Sequence, residues 1–526
     1  MAAGKPTARR APAGVGQVDA SRRSTRSKAL TALLALAAVL ATAAGLALGA
    51  RGHADDGATT TGSTLRATWV DPDGDGALER GPGEPLRDRT DLAPAARPGR
   101  VLARLGQITD THVRDEESPA RVSFLDRLGG PFSPTFRPQE TLTTQAFAAG
   151  LRALDRDRPD LLLVTGDITD NGTEAEFRQA LGVLRPGARV EPDTGARGYD
   201  GPQQATNPDP AYYRPGVDPP VERGLLTRAQ APFTAPRRRA PWLPIPGNHD
   251  LLAAGEATPT AATNAVAVGS ETLTRPRENL DVPRDARGAS AAVDALIAGG
   301  VLPGETAPIP PDPQRRFLTP AEGRARLRAA SALAPTPPDP AAPGLSIVRD
   351  LGDRVRVVTL DFDQAGEGAG GVVGDAHVAF LRRALRTAGE RWILVASHQP
   401  LITARGGERL LAVLDRAPRA LAALAGDTHH HRVRARRSPA GGYFLIQTGA
   451  LADFPQQARS LRVRETKGGG AMLETWVVDT SGEGRVGALA DTARELAFLD
   501  AQGGRPGGNR ERRADRNVRL FKAGPR

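Results

Sequence analysis

The chain of 526 residues has no cysteine, which excludes disulfide bonds, thiolate metal sites and cysteine nucleophiles. Aromatic residues make up only 4% of the sequence, too few for base-stacking platforms. The formal net charge of +10 comes from 70 basic residues, of which only four are lysine, and many of the arginines lie in the two terminal segments. No pattern typical of a nucleic-acid-binding fold is present, so we expect no nucleic-acid partner.

The first 50 residues have the pattern of an export signal. Residues 1–28 are polar and basic, and residues 29–50 form a run without a charge. A basic segment before an apolar run is typical of secretory signals, and this run is also long enough to span a bilayer as an uncleaved anchor. We therefore predict an extracytoplasmic protein that is secreted or anchored, with membrane contact only through this segment.

The middle of the chain alternates between strand and helix patterns. DLLLVTG (160–166) and WILVAS (392–397) are short apolar runs typical of buried strands, and TEAEFRQALGVL (173–184) has helical spacing with Thr173 as a cap. This alternation indicates a layered α/β domain. The predicted organisation is a lead-in or linker at 51–98, a domain at 99–485 with insertions at about 185–238 and 251–343, and a tail at 486–526 that is disordered from about 503.

Five predicted strands end in polar clusters. These are ITDTH (108–112), GDITDNG (166–172), GNHD (247–250), SHQP (397–400) and GDTHHH (426–431). Each cluster alone is explained by a turn, but six of the eight histidines lie in them, and strand ends are where α/β sheets place their sites. Aspartate, asparagine and histidine without cysteine suit first-row divalent or trivalent metals, and a bridging carboxylate with one amide and several imidazoles suits a two-metal site.

In this order the clusters resemble the calcineurin-like metallophosphoesterase superfamily. The family motifs are D-x-H, G-D-x-x-D, G-N-H-[D/E], a lone histidine after a strand, and G-H-x-H. The first four are matched, and the resemblance covers roughly residues 100–480. The long insertions and FPQQAR (454–459) make the chain most similar to secreted bacterial members. The resemblance implies an α/β fold, a four-layer α/β/β/α sandwich with two mixed sheets, with the metals at the sheet edge.

The resemblance also assigns roles to individual residues. It implies that Asp167 bridges two metal ions and that His249, hydrogen-bonded to Asp170, is the catalytic histidine facing the leaving oxygen. The remaining implied metal ligands are Asp110, His112 and His429 for the first ion and Asn248 and His398 for the second.

The last motif departs from the family pattern, because Asp427 stands where the family has the first histidine of G-H-x-H. We favour Asp427 as an oxygen ligand of the second metal, which makes that site harder and favours Mn, Fe or Mg-like ions. Two alternatives stay open. The shorter, anionic side chain leaves the second site weakened or empty, or the loop register shifts by two residues and His431 substitutes.

The implied function is hydrolysis of a phosphate ester outside the cytoplasm by a hydroxide that two metal ions (Mn, Fe or Zn) activate. A phosphodiester is slightly favoured over a phosphomonoester as substrate. His249 would stabilise or protonate the leaving oxygen. The alternative is a non-catalytic surface or binding protein that retains the fold; Asp427 favours it, and the other intact ligands oppose it.

Overall fold

The computed structural model describes residues 63–121, 137–210, 212–276, 304–333, 339–362, 369–503 and 512–525. All of them belong to one unit, Thr60–Arg526. The export segment predicted at 1–50 lies outside the described residues. Within the part of the chain that is described, no helix combines the length and the apolar character needed to cross a membrane.

Several central strands come from short apolar runs and are buried along their whole length, as strands covered on both faces must be. Their bounds are β1 Ala67–Val70, β2 Glu79–Pro82, β3 Arg87–Arg89, β4 Pro98–Ile108, β5 Leu161–Thr165, β6 Arg189–Val190, β7 Phe233–Thr234, β8 Trp242–Ile245, β9 Glu271–Pro276, β10 Gly304–Pro308, β11 Ile347–Leu351, β12 Val355–Thr359, β13 Trp392–Ala396, β14 Ala420–Ala425, β15 Arg432–Arg436, β16 Tyr443–Gln447, β17 Gln457–Thr466, β18 Ala471–Asp479 and β19 Val518–Lys522.

The helices follow the strands in the expected alternation. The second of them begins after Thr173, whose hydroxyl accepts a hydrogen bond from the Glu176 backbone N–H at 3.3 Å, so the predicted cap is confirmed. The helices are α1 Thr143–Asp155, α2 Glu174–Leu184, α3 Leu225–Gln230, α4 Ala261–Ala267, α5 Pro320–Ala330, α6 Asp375–Arg386, α7 Gly407–Leu414 and α8 Gly484–Gly503.

Two mixed sheets form the centre of the fold. One has seven strands in the order β3-β19-β18-β17-β4-β5-β8, with β4, β5 and β8 parallel. The other has six strands in the order β11-β12-β13-β14-β16-β15, with β12, β13, β14 and β16 parallel. Because the carboxyl ends of parallel neighbours lie at the same edge, the polar clusters after β4, β5 and β8 are brought together, as are those after β13 and β14.

The two sheets pack face to face, with helices on both outer faces. Leu105 and Leu163 of the first sheet share one buried cluster with Val357 and Leu394 of the second. Helices α1 and α2 cover the outer face of the seven-stranded sheet, and α6 and α7 cover that of the six-stranded sheet. The predicted four-layer α/β/β/α sandwich is confirmed.

The two ends of the described chain differ from the prediction. The segment 51–98, predicted as a lead-in or linker, contains β1, β2 and β3, and the tail predicted to be disordered from about 503 contains β19. Strand β19 lies between β3 and β18 in the seven-stranded sheet, where Val518 and Leu520 are fully buried. Helix α8 separates β19 from its pairing partner β18 in the sequence, and the residues just before β19 are rich in arginine and glycine. No local pattern therefore indicates this strand.

Candidate metal centre

The candidate ligands share an unusual backbone conformation. Among the described residues, nine that are not glycine have φ in the left-handed region, and five of these are candidate metal ligands. They are Asp110, His112, Asp167, Asp427 and His429, with φ between 41° and 67°. This region is sparsely populated by residues with a side chain, although aspartate and histidine enter it more readily than most, and such conformations cluster at functional sites. The chain turns sharply at each strand end, and the side chains converge.

The first group of converging side chains joins the loops after β4 and β14. The Nε2 atoms of His112 and His429 lie 3.3 Å apart, and His429 Nε2 lies 3.4 Å from Asp110 Oδ1. All three side chains are buried or half-buried. These are the three residues that the resemblance assigns to the first metal, and the fold brings them together.

The second group lies beside the first and shares a carboxylate with it. His398 Nε2 is 3.2 Å from Asp167 Oδ2 and 3.2 Å from Asn248 Oδ1. The same Asp167 Oδ2 atom is 3.8 Å from His112 Nε2 of the first group. Asp167 therefore faces both groups, as a bridging ligand must.

Asp427 reaches the second group. Its Oδ1 atom lies 3.8 Å from His398 Nε2, and its backbone N–H donates to both carboxylate oxygens of Asp110 at 3.1 Å. The Asp427 side chain is 29% exposed, so it lines the mouth of the site. This placement supports the prediction that Asp427 is a ligand of the second metal.

His431 points away from the centre. It is 2% exposed, and its Nδ1 accepts hydrogen bonds from the Gly449 backbone N–H at 2.9 Å and from Arg459 Nη2 at 3.1 Å. Burial, reinforced by Arg459, holds the pKa of His431 well below its usual range. A neutral ring fixed in this way serves the packing of β16 and β17, and it argues against the shifted register in which His431 replaces Asp427.

The predicted hydrogen bond between His249 and Asp170 is present, and it is made to the Asp170 backbone carbonyl. His249 Nδ1 donates to the backbone carbonyl of Asp170 at 2.6 Å, whereas the Asp170 carboxylate is 3.9 Å away. The carboxylate instead accepts from His112 Nδ1 at 3.2 Å. Since Nδ1 of His249 carries the donated proton, its Nε2 is left for substrate, and the ring is 23% exposed. The sequence motif places the two residues together but does not indicate which Asp170 oxygen is used.

Burial and mutual repulsion perturb the ionisation of the clustered groups. Burial raises the pKa of Asp427 to about 6 and also raises that of Asp110, while it lowers the pKa of His112 to about 4. The pKa of Asp167 is low in spite of its burial, because His398 and His249 stabilise the carboxylate. A neutral His112 with an anionic Asp167 is the protonation state that metal ligands require.

Small residues leave the room that the ligands occupy. A Cβ atom at Gly247 would overlap Asp167 Oδ1 and lie 2.8 Å from His398 Nε2. One at Gly426 would lie 2.6 Å from Asp110 Oδ2. The glycines that open the G-N-H-D and G-D-T-H clusters are therefore needed because ligand atoms pass over their backbones.

The donor set fits metal ions. Three groups, Asp110 with His112 and His429, His112 with Asp167 and His249, and Asp110 with Asp167 and His398, each have one ligand atom per residue within 4.8 Å of the others. Metal–ligand bonds of about 2.0–2.4 Å place two ligands of one ion no more than about 4.8 Å apart. Imidazole and carboxylate donors suit Mn, Fe and Zn, and a cation would offset the repulsion between the buried carboxylates.

The sequence reasoning missed five charged residues that surround these ligands. Asp453 contacts His429, and the other four connect Asp453 with Asp170: they are Arg114, Arg121, Arg137 and Glu140. No local motif indicates them, since they come from the loop after β4, the segment just before α1 and the loop after β16, which are far apart in the sequence. Asp250 supports the loops that carry these ligands, since its carboxylate accepts from the Thr169 and Gly247 backbone N–H groups at 2.9 Å.

Comparison with known proteins agrees with the geometry of the site. Residues 103–282 match the family model of the calcineurin-like phosphoesterases, Metallophos. A comparison with curated proteins finds no significant match.

Several solved structures are similar to the chain. A dimetal phosphatase from Danio rerio (LOC 393393) has 12% identity and a TM-score of 0.34, covering 73% of this chain and 100% of its own. PhoD has 11% identity and a TM-score of 0.29, with 81% and 80% covered. The sulfate thiohydrolase SoxB from Thermus thermophilus, in complex with glycerol, has 14% identity and a TM-score of 0.30, with 78% and 61% covered.

The family match covers β4, β5 and β8 and therefore the first three of the polar clusters. The sandwich supplies the last two from the second sheet. Residues 103–282 carry a calcineurin-like phosphoesterase domain, and the protein is a metal-dependent hydrolase that acts on phosphate esters.

Proposed function

We propose that the protein hydrolyses phosphodiesters outside the cytoplasm, at a centre that holds two metal ions. The observation that carries this proposal is the position of Asp167, whose Oδ2 atom faces His112 Nε2 at 3.8 Å and His398 Nε2 at 3.2 Å. One carboxylate oxygen between two separate sets of imidazole and oxygen donors is the arrangement that a pair of bridged ions requires.

The residues divide between the two ions as follows. One ion would be held by Asp110, His112, His429 and Asp167, and the other by Asp167, Asn248, His398 and Asp427. Mn, Fe and Zn all suit such donors, and the carboxylate of Asp427 favours the harder ions among them. When bound, the pair of ions supplies a nucleophile derived from water at neutral pH and a clamp on the phosphoryl oxygens.

His249 supplies the proton chemistry on the leaving side. Its Nδ1–H is held by the Asp170 carbonyl, and its backbone N–H donates to Asp167 Oδ1 at 2.9 Å, so both the ring and its loop are fixed against the bridging carboxylate. The ring of His249 meets that of His112 edge-on, with centroids 4.6 Å apart. Nε2 can then stabilise or protonate the departing oxygen, the ordinary role of a positioned histidine in ester hydrolysis.

The charge of the site supports a diester substrate. Asp427 adds a third carboxylate to Asp110 and Asp167, where the family pattern has a neutral histidine. This extra negative charge lowers the positive potential that the metal ions provide. A phosphomonoester carries close to two negative charges near neutral pH and a diester carries one, so the monoester is penalised more.

The location outside the cytoplasm rests on the N-terminal segment, residues 1–50. Its basic part and the uncharged run that follows are typical of export signals. The absence of cysteine is compatible with either side of a membrane, so it does not bear on the location.

We expect Asp427→His to shift selectivity towards monoesters. In the native protein kcat/KM should be higher for bis(p-nitrophenyl) phosphate than for p-nitrophenyl phosphate. Two unit charges about 6 Å apart interact by roughly 3 kcal/mol at an effective dielectric constant of about 20. Because Asp427 is partly exposed, we expect the diester-to-monoester ratio to fall by about tenfold. Steady-state kinetics with both substrates at one Mn²⁺ concentration would measure this ratio.

The matched control is Asp353→His, which makes the same charge change in the exposed turn between β11 and β12, at the opposite end of β12 from the metal centre. The diester-to-monoester ratio of kcat/KM in Asp353→His should equal that of the native protein. A native preference for the monoester, or an unchanged ratio in Asp427→His, would contradict the proposed substrate class.

A further inference from the structure

His429 is held by a carboxylate that belongs to none of the sequence motifs. Its Nδ1 atom donates to Asp453 Oδ2 at 2.6 Å. Asp453 lies in the loop between β16 and β17, and its side chain is 15% exposed. Because the Nδ1 proton is committed to Asp453, the Nε2 lone pair of His429 points towards Asp110, 3.4 Å away.

His112 is held in the same way by a second carboxylate. Its Nδ1 atom donates to Asp170 Oδ1 at 3.2 Å, and its Nε2 faces that of His429 at 3.3 Å. The two histidines of the first metal group therefore each have a carboxylate behind them, and both rings present Nε2 to the same point. A carboxylate behind a histidine ligand fixes the tautomer and raises the basicity of the ligand.

The two carboxylates are connected through a buried chain of charges. Asp453 is paired with Arg137, whose backbone N–H donates to Glu140 Oε2 at 2.8 Å. Glu140 is paired in turn with Arg114, and Arg114 Nη2 donates to Asp170 Oδ1 at 3.0 Å.

A third arginine, Arg121, joins this chain of charges. Arg121 Nη1 lies 3.3 Å from Glu140 Oε2 and 3.4 Å from Asp170 Oδ2. The three arginine side chains are between 1% and 6% exposed, and Glu140 and Asp170 are each 3% exposed. Three guanidinium groups thus face three carboxylates, and the charges balance.

Such a chain of charges holds its own side chains in place. A charged group without a partner is costly inside a protein, so each member is stable only while its neighbours keep their positions. The chain of charges runs from the loop after β4, through the segment just before α1, to the loop after β16. It therefore ties together segments that are far apart in the sequence and places both histidines from behind.

From this arrangement we propose that Asp453 is a positioning residue for the first metal, acting through His429. Arg137, Glu140 and Arg114 connect Asp453 to Asp170, so that His429 and His112 are oriented as one unit before a metal binds. The inference rests on the proposed metal centre and adds to it a residue that sets the affinity of one of its two sites. Loss of Asp453 should weaken the first site and leave the second, held by Asn248 and His398, unchanged.

The test is a Mn²⁺ titration of chelator-treated full-length Asp453→Asn by calorimetry. We expect one site to lose about 10–100-fold in affinity, the range for loss of a group behind a metal ligand, while the other keeps its native value. In proton NMR, the strongly downfield Nδ1–H resonance expected for His429 beside a carboxylate should move upfield. A purely structural role would change neither readout in a protein with native circular dichroism.

Asp453→Asn removes a carboxylate that offsets the charge of Arg137. The double variant Arg137→Gln/Asp453→Asn is therefore measured as well, because it removes both charges together. The matched control is Asp415→Asn, which removes a carboxylate that accepts from Arg436 at 2.8 and 2.7 Å. Asp415 lies before the start of β14, whereas Asp427 follows the other end of that strand. Its Mn²⁺ affinities should be native.

Native affinity at both sites in the Asp453 variants would overturn the inference while leaving the metal centre intact. A native protein that binds no Mn²⁺ would overturn the proposed function and this inference with it. Equal loss at both sites would also overturn it, because the effect would then not pass through His429.

Discussion

Asp167→Asn is expected to abolish phosphodiesterase activity and to deplete both metal sites. The Asp167 Oδ2 atom faces both groups of ligands, and its side chain is 5% exposed. Asparagine has the same shape and keeps an oxygen that accepts from the His249 backbone N–H, so the fold and the loop should persist. A neutral amide cannot offset the charge of two cations. The affinity for Mn²⁺ should therefore fall by more than about 100-fold, the upper end for groups behind a ligand.

Metal content after equilibrium dialysis and the rate on bis(p-nitrophenyl) phosphate measure this effect together. Asp479→Asn is the matched control, because Asp479 is a buried aspartate, 2% exposed, at the end of β18, and burial raises its pKa. It should keep native metal content and native activity. If Asp167→Asn retained two ions per chain, Asp167 would not be the bridging ligand.

His249→Gln is expected to lower kcat by about 10²–10⁴-fold, the usual contribution of a positioned acid or base. His249 is not among the residues proposed to hold the two ions, so metal content and KM should change little. The loss should depend on the leaving group, since a p-nitrophenolate leaves without a proton and an alkoxide does not. We therefore expect a larger loss for a dialkyl phosphodiester than for release of p-nitrophenolate from an aryl diester.

Parallel kinetics on aryl and alkyl diesters, with metal analysis of the same samples, would check this prediction. Equal losses on both substrates would mean that His249 positions the ester and does not supply a proton to the leaving oxygen. An unchanged kcat on both would remove His249 from the chemistry altogether, and the exposed Nε2 would then need another explanation.

The ligands could be predicted from the sequence because each stands in a short motif at a strand end. Asp110 and His112 belong to one such motif, and Asn248 follows a glycine that is needed for close approach. A parallel sheet then brings these motifs to one edge whatever the length of the insertions between them. The replacement of the family's histidine by Asp427 is also visible in the motif. The approach of the Asp427 side chain to His398 depends on the loop conformation.

The groups behind the ligands could not be predicted. Asp453 and Arg137 meet only because folding brings together segments that are far apart in the sequence, and neither belongs to a local pattern. The motif predicts that His249 is hydrogen-bonded to Asp170, but it does not indicate that the Asp170 carboxylate accepts from His112 and pairs with Arg114. Strand β19 lacks a local signal for the same reason, since it is placed by pairing with the distant strand β18.

The central claim is that two bound metal ions make this chain a phosphodiesterase, and a stoichiometric titration tests it most directly. The full-length protein is treated with chelator and titrated with Mn²⁺ while the hydrolysis of bis(p-nitrophenyl) phosphate is followed. We predict no activity without metal and a plateau at two Mn²⁺ per chain. Full activity after chelation, or a plateau at a single ion, would contradict the claim.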